Sequence, residues 1–217
     1  RAAELFAPQP ATVSRDALFA YCTAGSDAAH PRLHAVYSPA ELLAALADSL
    51  VQAEGRGALP RAVKRRNLLG PAEKPVLVPE KPFVSHDELI DLCRQLVAGV
   101  DATGHLPANL ALGEARVGLG SLHAACVAAF AAACRGDRFA RLRLLKPPRY
   151  PAIAHELDRA MGWMEECGFL GPEFSAEKLR LHTRLQTWSL KPARLRVPSG
   201  PCNEAGGFVP AGLLMKE

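Results

Sequence analysis

His123 and Cys126 stand i, i+3 on one face of the apolar stretch Leu122 to Ala133, with Cys134 two turns further on. That spacing suits a thiolate–imidazole pair or half of a metal site. The surrounding residues, Leu-His-Ala-Ala-Cys-Val-Ala-Ala-Phe-Ala-Ala-Ala-Cys, read as core packing, and the third and fourth ligands that a metal needs are not indicated. His123 and Cys126 are therefore the catalytic candidates of a chain expected to have no catalytic set, no metal and no cofactor. The seven histidines show neither H-E-x-x-H nor H-x-x-E-H spacing. Pro198-Ser199-Gly200 lacks the strand–turn–helix setting of a nucleophile elbow, and Glu165 and Glu166 fall on a solvated face.

Anions are the other chemistry to consider. Gly113, then Gly118-Leu119-Gly120-Ser121 ahead of an apolar helix, has the outline of a phosphate loop, but the lysine and the hydroxyl that should follow it are missing. The expected role is a glycine-rich lead into a buried helix. Basic residues gather at Arg61 to Arg66, at Arg135 to Arg149 and at Arg180 to Arg196. Lys64, Arg65, Arg66, Arg141, Arg143 and Arg149 are the anion-binding candidates, suited to an acidic polymer or RNA if they converge in space. Tyr150 and Trp188 are too few to form a stacking platform.

The elements that must position these groups are mostly helices. Ser38-Pro-Ala-Glu41 and Ser85-His-Asp-Glu88 have the form of capping boxes, each preceded by an apolar residue, Tyr37 or Val84, placed to staple onto Leu42 or Leu89. Each helix then closes on Gly-x-Leu-Pro, at Gly57 to Pro60 and Gly104 to Pro107, so the two copies lie 47 residues apart from Ser38 to Ser85. Between the caps, Leu89, Leu92, Cys93, Leu96, Val97 and Val100 draw one buried stripe. A second register matches Val13-Ser14 and Cys22 with Val84-Ser85 and Cys93. Both registers fit helices near 14–23, 38–54, 85–102 and 121–135, taken as a duplicated helix pair. Further helices are expected over 152–167 and after Ser175, and Leu110 to Val117 has β character for only a short strand or turn.

The fold class this predicts is mainly α: a multi-helix bundle with a duplicated helix-pair unit and an extended Pro/Gly-rich C-terminal tail. The divisions are a first helical half over 1–70, a Pro-rich linker over 71–83, a second helical half over 84–149, C-terminal helices over 150–189 and a tail over 190–217. Hydrophobic content of 49% against 6% aromatic residues favours helices with small side chains and argues against an all-β fold. Six cysteines without a C-x-x-C pair read as reduced core thiols, hence a reducing intracellular compartment, cytoplasm or organelle matrix. No apolar run reaches membrane-spanning length. A net charge of +4 is too mild to mark a dedicated nucleic-acid domain. The chain begins with Arg1 rather than Met, so it is expected to be a processed or truncated product in which any targeting segment or neighbouring domain is lost from view.

Residues 84–133, a capped helix, Gly-His-Leu-Pro, the stretch Asn109 to Gly113 and a second apolar helix, resemble the pseudomurein-binding repeat of microbial surface proteins. The resemblance implies recognition of a cell-wall glycan by repeated helical units, without catalysis. The leading expectation is a non-catalytic helical binding or scaffold module, a subunit of a larger protein or assembly, with a protein partner. The alternatives are a glycan-binding accessory module, and an enzyme using the Cys/His pair of the 121–135 helix.

Overall fold

Four short segments share one grammar: a buried apolar residue, a cap in extended conformation, then a helix. Val13 precedes Ser14 and α1 (Arg15–Thr23), Tyr37 precedes Ser38 and α2 (Pro39–Arg56), Val84 precedes Ser85 and α3 (His86–Thr103), and Val117 precedes Gly118 and α4 (Leu119–Arg135). All four apolar residues are buried in one core with Leu18, Leu42, Leu89 and Leu122, each four residues past its cap. The capping boxes form as expected. The Glu41 and Glu88 amides donate to Ser38 and Ser85, and their carboxylates accept from the Ser38 and Ser85 amides. Gly57 and Gly104 close α2 and α3 at φ 70° and 71°, where a side chain would be strained.

The computed structural model describes residues 9–24, 34–146, 153–168, 171 and 173–191. From Pro10 onward they belong to one compact unit, Pro10–Pro192. The tail from residue 192 onward, Arg149 and Tyr150 lie outside the described residues. Among those described, α5 (Ile153–Glu166) and α6 (Ala176–Thr187) complete six helices.

A mainly α fold is not what forms. Among the described residues, six strands assemble into three two-stranded antiparallel sheets beside the helices, so the architecture is mixed α/β. β1 (Thr12–Ser14) pairs with β2 (Ala62–Lys64), β3 (Phe83–Ser85) with β6 (Arg141–Arg143), and β4 (Asn109–Leu112) with β5 (Ala115–Gly118). Three or four residues are too few to show a period-2 pattern, and two of the three pairings join segments far apart in sequence. The β4–β5 hairpin turns at Gly113 with φ 62°, the glycine-first arrangement of a type II′ turn.

The two ribbons that follow the Gly-x-Leu-Pro stops share a register. Ser14 faces Ala62 and Val13 faces Val63 in one, while Gly118 faces Asn109 and Val117 faces Leu110 in the other. In both, the strand after an 18-residue capped helix pairs with the strand leading into another helix. What differs is connectivity, because β4 runs directly into β5 whereas β1 precedes β2 by most of the first half. Cys22 and Cys126, each eight residues past its cap, thus occupy corresponding places on α1 and α4.

Residues 39–50 of α2 are buried on every face, and α2 packs on both α3 and α4, so the segments on either side of the Pro-rich stretch share a core. Such a helix tolerates polar groups only when they are paired. Asp48 accepts from Arg66 at 2.7 Å and from Gln52 at 2.9 Å, and Arg66 also reaches Asp101 on α3 at 2.8 Å. Replacing Arg66 with Met should lower unfolding stability by about 1.5–3 kcal/mol, chiefly through the unpaired Asp48, since the exposed Asp101 arm contributes little. Hydrogen bonding to Arg66 holds the Asp101 carboxyl below its ordinary value of 3.8. That share of stability is present above this value and is lost as pH falls through the depressed one. Because the Asp101 arm is exposed, urea titrations should show only a small narrowing of the gap between wild type and Arg66→Met below about pH 4.

The Pro-rich stretch is a strap across the β4–β5 hairpin. The Val76 amide donates to Asn109 Oδ1 at 2.7 Å, and the Arg116 amide donates to Glu80 at 2.8 Å. On the other strand edge, the Gln95 side chain brackets Ala111, donating to its carbonyl and accepting from its amide.

Candidate functional site

His123 and Cys126 sit on the inward side of α4, both with no exposed surface. His123 Nε2 and the Tyr21 hydroxyl share a hydrogen bond of 2.9 Å from α4 to α1. The Tyr21 and Trp188 rings meet the imidazole edge-on. Cys126 faces Cys93 of α3, sulfur to sulfur at 3.6 Å, rather than His123. Hydrogen bonding with Cys93, together with burial, pushes the Cys126 thiol well above its ordinary value of 9.0. A nucleophilic cysteine needs the opposite shift and a path to substrate. The predicted thiolate–imidazole pair is thus two separate contacts, His with Tyr and Cys with Cys. Among the described residues no group of three or more His, Cys, Asp or Glu side chains is placed to hold a metal.

The phosphate-loop outline is filled from within. Gly118 caps α4 without a side chain, and a Cβ there would collide with the carbonyl oxygen of Val76 in the strap. Ser121 donates to the Leu145 carbonyl at 2.8 Å. The helix N-terminus is occupied by the chain's own backbone, so glycine is needed there for close approach and not for an anion.

The basic candidates separate into two kinds. Arg65 and Arg66 are held in ion pairs, with Glu41 in the first case and with Asp48 and Asp101 in the second. Arg141 and Arg143 are exposed on β6, and Lys64 is exposed on β2.

The β3–β6 ribbon places Arg141 and Arg143 on one face. Val84 points into the core and Leu142 packs against it from the opposite position. Alternation along the strands then sends Phe83, Ser85, Arg141 and Arg143 to the other face. Arg143 lies directly across from Phe83, and the Arg141 guanidinium sits 4.0 Å from the centre of the Phe83 ring, a cation–π contact. Arg135 pairs with Asp137 and Arg116 with Glu80, but among the described residues no carboxylate pairs with Arg141 or Arg143. Among the described residues, each strand has only the other as ladder partner. The ribbon thus presents a cationic face around the Phe83 ring.

Phe83 and Tyr21 are the site residues that sequence reasoning misses. Their partners lie across the chain, and only the strand register reveals Phe83 as the platform of Arg141. Set against known families, curated proteins and solved structures, the chain matches none. The likeness of residues 84–133 to pseudomurein-binding repeats stays one of pattern. No helix among the described residues is long and apolar enough to cross a membrane.

Proposed function

We propose that this chain is a non-catalytic helical binding module of a larger protein or assembly, and that its β3–β6 ribbon receives an acidic protein segment. The observation that carries the reading is the contrast between inside and outside. His123 with Tyr21, and Cys93 with Cys126, are committed to each other in the core, while Arg141 and Arg143 are exposed and have no carboxylate partner among the described residues.

The two-residue spacing favours a peptide in extended form. An added strand presents its side chains to one face with the same period of two, so carboxylates at i and i+2 would meet both guanidinium groups. Arginine forms two parallel hydrogen bonds with a carboxylate, which adds geometric selectivity to charge.

The test is fluorescence titration with two labelled probes at low salt, an alternating Glu-Val peptide and polyuridylate of equal charge. The peptide is expected to bind at least tenfold more tightly. Stronger binding of polyuridylate would replace the protein partner with RNA, and binding of neither probe would remove the acidic-partner reading.

A further inference from the structure

We propose that Cys93 and Cys126 form a selective oxidative modification site, a dithiol that closes to an intramolecular disulfide joining α3 to α4. The chain has six cysteines, and those described occupy very different settings. Cys167 is exposed beyond α5, Cys134 is partly buried at the end of α4, and Cys22, Cys93 and Cys126 are buried in the core. Of these, Cys93 and Cys126 bring their sulfurs to 3.6 Å. A disulfide bond is about 2.05 Å long, so roughly 1.5 Å of approach separates contact from bond.

The reaction is a two-electron exchange with a small disulfide such as oxidised glutathione. One cysteine loses its proton to solvent, and its thiolate attacks a sulfur of the oxidant, breaking that S–S bond and releasing one small thiolate. The second cysteine, deprotonated in turn, attacks the protein sulfur of the mixed disulfide and expels the other small thiolate. Both leaving thiolates take up a proton. The protein dithiol has lost two protons and two electrons, and the oxidant has become two thiols.

Burial sets when this happens. Neither thiol is reachable in the closed core, and Cys126 is held in its thiol form there, so exchange is slow in the folded protein and fast while the α3–α4 seam is open, as during folding. Once made, the link closes a loop containing the β4–β5 hairpin and should raise resistance to unfolding by restricting the open chain.

The experiment is refolding of the reduced protein from urea in a glutathione redox buffer, followed by alkylation of free thiols, non-reducing digestion and mass spectrometry. The expected result is a Cys93–Cys126 linked peptide pair in most molecules, about 2 Da lighter than the reduced pair. The unfolding midpoint should be higher and fall back on adding dithiothreitol. Cys93→Ser should lose both the link and the shift. The proposal is overturned if Cys126 is found joined to Cys22, if Cys93 and Cys126 are alkylated while Cys167 carries the glutathione, or if the linked protein unfolds no later than the reduced one. The peptide map of the wild-type chain decides the pairing even if the variant does not fold.

Discussion

Replacing Glu41 with alanine is expected to destabilise the protein by about 3 kcal/mol or more, the range for removing one member of a buried charged network. Glu41 is 1% exposed and serves three partners. One carboxylate oxygen accepts from the Ser38 amide at 2.8 Å, closing the capping box of α2. The other accepts from Lys191 at 2.8 Å and lies 3.6 Å from Arg65. Alanine opens the cap and leaves two cations facing a desolvated helix end. Close by, the Ala40 amide donates to the Trp188 carbonyl and the Gly70 amide to the Leu185 carbonyl, so the end of α6 is docked through the same region. Glu41→Gln keeps an oxygen for the Ser38 amide and should lose roughly half as much. Urea denaturation followed by circular dichroism measures both, and an alanine variant within 1 kcal/mol of wild type would contradict this role.

The second large effect belongs to His123. His123→Ala leaves a cavity among buried helices and takes away a hydrogen-bond partner of the Tyr21 hydroxyl, together about 2–4 kcal/mol. Tyr21→Phe removes only the hydroxyl and should cost about 1–2 kcal/mol. Because the two groups act on one another, the double variant should lose less than the sum, with a coupling of about 1 kcal/mol. Additive losses, measured by the same denaturation, would show that the 2.9 Å contact contributes nothing.

What the sequence discloses is what short-range chemistry controls. Ser38 with Glu41 and Ser85 with Glu88 lie within one turn, and Gly57 and Gly104 immediately follow their helices. Capping and termination were therefore readable without a fold. Apart from the β character of Leu110 to Val117, which forms the β4–β5 hairpin, the strands were not, since each is a brief extension before a cap or after a stop, and Phe83 has no local sign of its partner Arg143. The correspondence of Ser14 with Gly118 was hidden for a second reason. One cap has a side chain and the other has none, because the strap's Val76 carbonyl leaves no room for a Cβ at Gly118.

The candidate site divides the same way. That Cys126 is a core thiol follows from the apolar face it occupies, but its pairing with Cys93, and that of His123 with Tyr21, depends on helix packing. The basic clusters were visible as composition. Only the positions of Asp48, Asp101 and Glu41 show that Arg65 and Arg66 are spent on the fold while Arg141 and Arg143 remain at the surface.

The most direct measurement is a titration of the wild-type chain and the Arg141→Ala/Arg143→Ala variant with the alternating Glu-Val peptide over a series of salt concentrations. Removing two charge-assisted contacts is predicted to weaken binding about tenfold or more and to flatten its dependence on salt, with the unfolding midpoint unchanged. Equal affinities and equal salt dependence for the two proteins would contradict the assignment of the ribbon as the binding face.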